Sequence, residues 1–135
     1  MQAFTVYSTD EIIKIKIEGL TLSVSPLTYK QKDEIQSLFM NGQALEGAVT
    51  SMRYAIKDIE GLKNSDGSKF ELKTKAGVID DRTVDMLLNA PFGTKMNLVC
   101  VSLLNGIPSQ FLHPETGKPL EGVSFVESRK ATRKK

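Results

Sequence analysis

Among its 135 residues the chain has no tryptophan, one cysteine and one histidine. Cys100 alone cannot form an internal disulfide, and one thiol with one imidazole falls short of a usual four-ligand zinc site. Nucleophile-and-base catalysis of the common kinds needs an imidazole or an equivalent base. The single His113 stands between Leu112 and Pro114 in an irregular, proline-rich stretch and reads as merely exposed. Cys100 lies in an apolar run, where a thiol packs as a small hydrophobe and keeps a high pKa. Glycine-rich phosphate loops and dinucleotide fingerprints are missing too, so the expectation is a protein with no catalytic residues, no metal and no cofactor.

Long apolar runs are also lacking. The longest, Leu98 to Leu104, contains Ser102 and is far shorter than the roughly 20 residues that cross a bilayer. No basic start, apolar run and small-residue cleavage site follow one another at the N-terminus. A reducing cytoplasm is therefore expected, without a membrane span.

An excess of positive over negative charge is lacking everywhere but at one end. The formal net charge is +2, yet Arg129, Lys130, Arg133, Lys134 and Lys135 supply five positive charges with no acid among them, leaving residues 1 to 128 at −3. A mildly acidic body does not offer the broad basic face that duplex nucleic acid demands. The basic end has neither interleaved aromatics nor a groove-entering motif, and it reads as a solvated, disordered tail over 129–135.

What is present is a series of apolar periodicities. Ile13, Ile15 and Ile17 alternate with Lys14, Lys16 and Glu18; Leu20, Leu22 and Val24 then alternate with Thr21, Ser23 and Ser25, and Gly19 stands between the runs. This period of two predicts a β-hairpin with one apolar face. Thr28 and Gln31 have capping-box spacing, which predicts a helix from about Tyr29 with Ile35, Leu38 and Phe39 on its apolar stripe and Gly42 as its stop. Leu45, Val49, Met52, Ile56 and Ile59 recur at helical spacing and predict a second, core-facing helix capped by Gly61. Asn64 to Gly67 read as a turn, and a short strand is expected over Lys69 to Lys73. That turn is no calcium loop, because Leu62 and Lys73 occupy positions where oxygen ligands are required. Gly77 and Asp80 or Asp81 open a third helix carrying Val84, Leu87 and Leu88, closed by Pro91, and helix capping accounts for that acidic pair without a metal. Thr94 is a candidate cap for a fourth apolar segment, Met96 to Leu104, read as helix although its pattern also suits a strand.

Three prolines and three glycines between Gly106 and Gly122 predict an irregular arm, taken to reach residue 128. The expected fold is α+β: one domain over 1–128, an N-terminal hairpin, about four helices, one short extra strand and the arm. Two surfaces are candidates for binding other chains. One is the exposed hairpin edge over Ile12 to Ile17, with Ile13 and Ile15; the other is the arm, with Ile107, Phe111, Leu112 and Leu120.

The strings PLTYKQKDEI, MRYAIKDIEGLKNSDGSKFEL and GVIDDRTVDMLLN, between Pro26 and Asn89, resemble the tail assembly chaperones of long-tailed, siphovirus-type bacteriophages. The shared features are a strand pair leading into a P-L-T helix start, the phrase Ile59-Glu60-Gly61-Leu62, a D-G turn and a closing helix from Asp81 to Leu88. The resemblance implies a non-catalytic assembly factor of the host cytoplasm, absent from the finished virion. Such a factor coats the tape measure protein and keeps it soluble until tail tube subunits polymerise around it. It also implies self-association along the client, and a longer product made by ribosomal frameshifting that reaches the tail tube protein; Lys134-Lys135 suit an A-rich slippery codon pair. Two other readings stand beside it: a tail tube or head-to-tail connector subunit of the virion, and a small nucleic-acid-binding protein acting through its basic end.

Overall fold

The alternating isoleucines form strand β1 (Glu11–Ile17), which pairs antiparallel with β2 (Leu20–Val24) so that Ile13 faces Val24, Ile15 faces Leu22 and Ile17 faces Leu20. In the computed structural model, which describes residues 6–75, 77–108, 110–113 and 115–130, this hairpin begins an α+β fold with four α-helices. The left-handed residue of its turn is Glu18, at φ 55°.

Helix α1 (Tyr29–Met40) starts where the capping box requires. Gln31 N–H donates to Thr28 Oγ1 at 3.2 Å, and Thr28 N–H donates to Gln31 Oε1 at 3.0 Å, satisfying two backbone donors that the first turn leaves free. Helix α2 (Ala44–Ala55) packs against α1 and against two later helices. It meets α1 closely at Gly47, where an added Cβ would lie 2.9 Å from the Phe39 ring.

Helix α2 ends at Ala55, four residues before the helix expected from the sequence. Ile56 and Ile59 belong instead to strand β3 (Ile56–Glu60), which pairs with β2. A register shift between Ser23 and Val24 places Ile56 opposite Val24 and Ile59 opposite Leu22. The shift leaves one surplus residue on β3, so two isoleucines three positions apart both face the core. A bulged strand thus copies the i, i+3 spacing of a helix. Gly61 caps no helix: it follows β3 at φ 105°, and a Cβ there would stand 3.0 Å from Gly19 O and 3.1 Å from the Leu20 side chain.

The strand expected at Lys69 to Lys73 does not form. Lys69 makes an isolated bridge to Lys63, and a two-residue pair, β4 (Thr74–Lys75) with β5 (Val78–Ile79), lies just beyond. Helix α3 (Asp81–Leu88) is capped by Asp80, whose Oδ1 accepts from Thr83 N–H at 2.8 Å. Helix α4 (Gly93–Ser102) runs into a 3₁₀ turn, Leu103–Asn105. Its N-cap is Phe92 in the left-handed region at φ 63°, without a side-chain cap bond, and not Thr94. At Gly93 a Cβ would stand 2.5 Å from Leu88 O, so only glycine allows α3 and α4 to meet there.

The arm ends at Gly122, short of the expected residue 128. Val123–Lys130 form β6, antiparallel to β1 on the side away from β2, giving the sheet order β3-β2-β1-β6. This strand takes in Arg129 and Lys130, which pair with Ile12 and Glu11, so the basic end is not a uniform tail over 129–135. The remainder of that expectation, residues 131–135, lies outside the described residues. With β6 in place β1 is no edge, and Ile13 and Ile15 are fully buried core rather than a docking surface. The inner face of the sheet and the helices share one apolar cluster, which reaches from Ile13 to Val99, Phe111 and Leu120.

Among the described residues no helix is long and apolar enough by itself to cross a membrane.

Candidate partner-binding groove

Helical phase sets the first wall of a surface groove. Successive residues of an α-helix turn by about 100°, so Gln36, Phe39 and Met40 lie on a flank of α1 rotated away from the buried Ile35. Phe39 is half-buried, held against Gly47 of α2, while Met40 at the helix end is 85% exposed. Leu45, at the start of α2, is 74% exposed.

The floor comes from α4 and the 3₁₀ turn. Met96, Val99 and Cys100 face inward and are buried, whereas Leu98, Val101 and Leu104 are half-buried and form the base of two adjoining hollows of about 450 and 350 Å³. The hollows share Gln36, Val101 and Leu104, which makes them one groove. Its second wall is the arm, through Pro108, Gln110 and Leu112, and Ser102 and Asn105 complete the rim.

The arm can form a wall because it is pinned. Phe111 is buried with its ring centroid 5.1 Å from that of Phe125 on β6, and Leu120 N–H donates to Phe111 O at 2.9 Å. Leu112 bridges to Pro119, and His113 N–H donates to Lys118 O at 2.8 Å. At the far end of the arm, Lys95 Nζ lies 2.8 Å from Glu18 Oε2 and donates to Glu121 O at 2.6 Å, while Glu18 N–H donates to Gly122 O at 2.8 Å. Gly122 sits at φ 73° directly against the Glu18 carboxylate, so the turn that ends the arm interlocks with the turn of the β1–β2 hairpin.

Of the residues expected to bind partners, only Leu112 lines this groove, and it is 44% exposed. Ile107 is half-buried against the core, Phe111 and Leu120 are buried anchors of the arm, and Ile13 and Ile15 lie in the middle of the sheet. The structure therefore keeps the arm as a candidate surface but reduces it to its outward-facing residues. Gln36, Phe39, Met40, Leu98, Val101 and Leu104 were not foreseen as a binding surface. A partial signal was present in Met40 and Leu45, exposed apolar residues that end α1 and open α2.

Another cleft, of about 580 Å³, lies between the 62–70 loop and α3. Phe70 and Leu87 form its floor, and Lys63, Arg82 and Asp85 stand on its walls. It is larger than either hollow of the groove, but charges of both signs line it, whereas the α1–α4 groove combines an apolar floor with exposed Met40 and Leu112. We take the groove as the candidate site for that reason.

Reactive chemistry is sparse around both. Burial pushes the Cys100 thiol up to about 12, which leaves it protonated. His113 is tied into its turn, where Nδ1 accepts from Glu115 N–H at 3.1 Å. Among the described residues no three His, Cys, Asp or Glu side chains come together in a way that would hold a metal ion. The Arg53 Nε atom is buried and lies 3.3 Å from Asp81 Oδ1, within ion-pair distance but without hydrogen-bond geometry, while Nη2 donates to Thr50 Oγ1. This contact joins α2 to α3 away from the groove.

No family model, no curated protein and no solved structure matches this chain.

Proposed function

We propose that this chain is a non-catalytic assembly chaperone of the phage-tail kind, which holds segments of the tape measure protein in the α1–α4 groove until tail tube subunits polymerise around them. The observation that carries this reading is the groove itself, an apolar floor open to solvent between a helix flank and a pinned arm, with Met40 and Leu112 exposed at its sides. Grooves of this kind take an amphipathic helix through anchors spaced at i, i+3, i+4 and i+7. A long helical client offers that pattern many times over, so several copies engage one client and weak single contacts add up by avidity. The chaperone acts in the host bacterial cytoplasm and leaves before the virion is complete. A longer frameshifted form would carry the link to the tail tube protein.

Co-expression with the tape measure protein of the same phage tests the reading. The chain is expected to move the tape measure protein from the insoluble to the soluble fraction and to co-purify with it. M40E/L112E is expected to lose both effects while its far-ultraviolet circular dichroism stays unchanged. Equal rescue by that variant would reject the groove as the client site.

A further inference from the structure

We infer that the groove selects client helices whose docking face carries no charge of either sign. The inference rests on the groove being the client site and specifies what that site accepts. Among the described residues eleven line the two hollows and none of these is Asp, Glu, Lys, Arg or His, although a quarter of the chain is charged. The polar groups present are neutral. Ser102 Oγ already donates to Leu98 O at 2.6 Å, and the side-chain amides of Gln36, Asn105 and Gln110 make no hydrogen bond among the described residues. An amide both donates and accepts, so these three suit Ser, Thr, Asn or Gln on a client and have no preference of charge sign.

A helix satisfies its own backbone polar groups, so only its side chains must match the groove. Large apolar side chains at i, i+3, i+4 and i+7 would rest on Leu98, Val101 and Leu104, between Phe39 and Leu112. A Lys or Glu in one of those positions would lose its water with no opposite charge on any lining residue, and that penalty falls on both signs alike. The loop–α3 cleft offers a contrast, since Lys63, Arg82 and Asp85 give it counter-charges for ligands of either sign. The neutrality of the groove thus selects by exclusion: apolar helical stretches enter and charged stretches stay in water.

Because the chain contains no tryptophan, a peptide with one tryptophan on its outer face reports binding by its own fluorescence. The probes are helical peptides of about 20 residues, long enough for several turns. One has leucine at the docking positions, and the others replace a central docking leucine by Gln, Lys or Glu. The Gln peptide measures the loss of apolar contact alone. The Lys and Glu peptides are expected to bind about tenfold or more weakly than the Gln peptide, and similarly to each other. Either charged peptide binding as tightly as the Gln peptide overturns the inference, and so does a marked preference for one sign. M40Q/L112Q, which leaves the groove uncharged, separates the two levels of the argument. If it weakens the leucine peptide while charge has no effect, the inference fails and the groove remains the client site. If it changes no affinity, or if the leucine peptide does not bind, both fail. Light scattering after size exclusion supplies one more outcome: a dimer broken by M40Q/L112Q but not by the leucine peptide would mean that a second copy fills the groove, and the inference would fall.

Discussion

Cys100 lies with Met96 and Val99 among the buried residues of α4, and loss of water around its sulfur holds the thiol up at about 12. A thiol-specific reagent at pH 8 is therefore expected to leave the folded protein unmodified and to react in full once denaturant exposes the side chain; rapid labelling of the native protein would contradict that burial. Asp80 behaves in the opposite way. Hydrogen bonds from the Thr83 hydroxyl and N–H hold its carboxyl below the usual carboxylate range, with smaller help from Arg82 and Lys73. A depressed folded-state pKa means that the stabilisation is present above the unfolded value of about 4 and is lost as pH falls through the lower folded value. Wild type should lose stability over that acid range more steeply than D80N, which keeps a capping oxygen but cannot titrate; parallel acid denaturation curves would remove Asp80 from the account. Both side chains were legible from their neighbours in sequence, Cys100 from its apolar run and Asp80 from its place before a helix. Ile13 and Ile15 were only half legible. Their alternation showed that they face one side of a strand, but whether that strand lies at an edge depends on β6, more than a hundred residues away.

Local chemistry specifies some elements fully. The Thr28–Gln31 box is visible in sequence and present in the structure, and T28A is expected to cost about 1 kcal/mol, read from the midpoint of urea unfolding. The turn that ends the arm depends on distant groups. Gly122 needs its left-handed backbone, and a Cβ there would displace the Glu18 carboxylate that pairs with Lys95. G122A should therefore cost about 1–2 kcal/mol from backbone strain and also loosen the arm. E18A/G122A relieves the clash but not the strain, so it is expected to recover only part of the loss. Element boundaries were misread wherever a bulge broke the period of two. Ile56 and Ile59, three apart, gave a helical signal from a strand because one surplus residue in β3 restored their common face. A second register shift, between Lys14 and Ile15, falls against β6, where Ile15 pairs with Phe125, Lys14 pairs with Glu127, and Val126 between them is 53% exposed.

On the scale of the whole molecule, strand order governs both stability and function. Because β6 covers β1, a chain truncated before Val123 would bare the backbone edge of β1 and strip Phe125 from Phe111. Such a chain is expected to aggregate or to remain unfolded, since a bared edge is a template for pairing with other chains. A monomeric truncation with the native circular dichroism would show that β6 is dispensable. The same arrangement fixes what is left for partners. The inner face of the sheet is consumed by the core, and the α1–α4 groove remains as an uncharged apolar surface open to solvent.

From sequence alone came the class of the fold, the hairpin, the capped starts of α1 and α3 and, with its end misplaced, the core-facing α2, all of which depend on residues within a turn or two of one another. Tertiary structure alone decided the sheet order, the use of Val123–Lys130 as a strand, and the meeting of α1, α4 and the arm along one groove. The physical reason is range. Caps and periodicities act between near neighbours, whereas a strand partner and a groove wall are chosen by which distant apolar surfaces bury one another, and no local pattern records that choice.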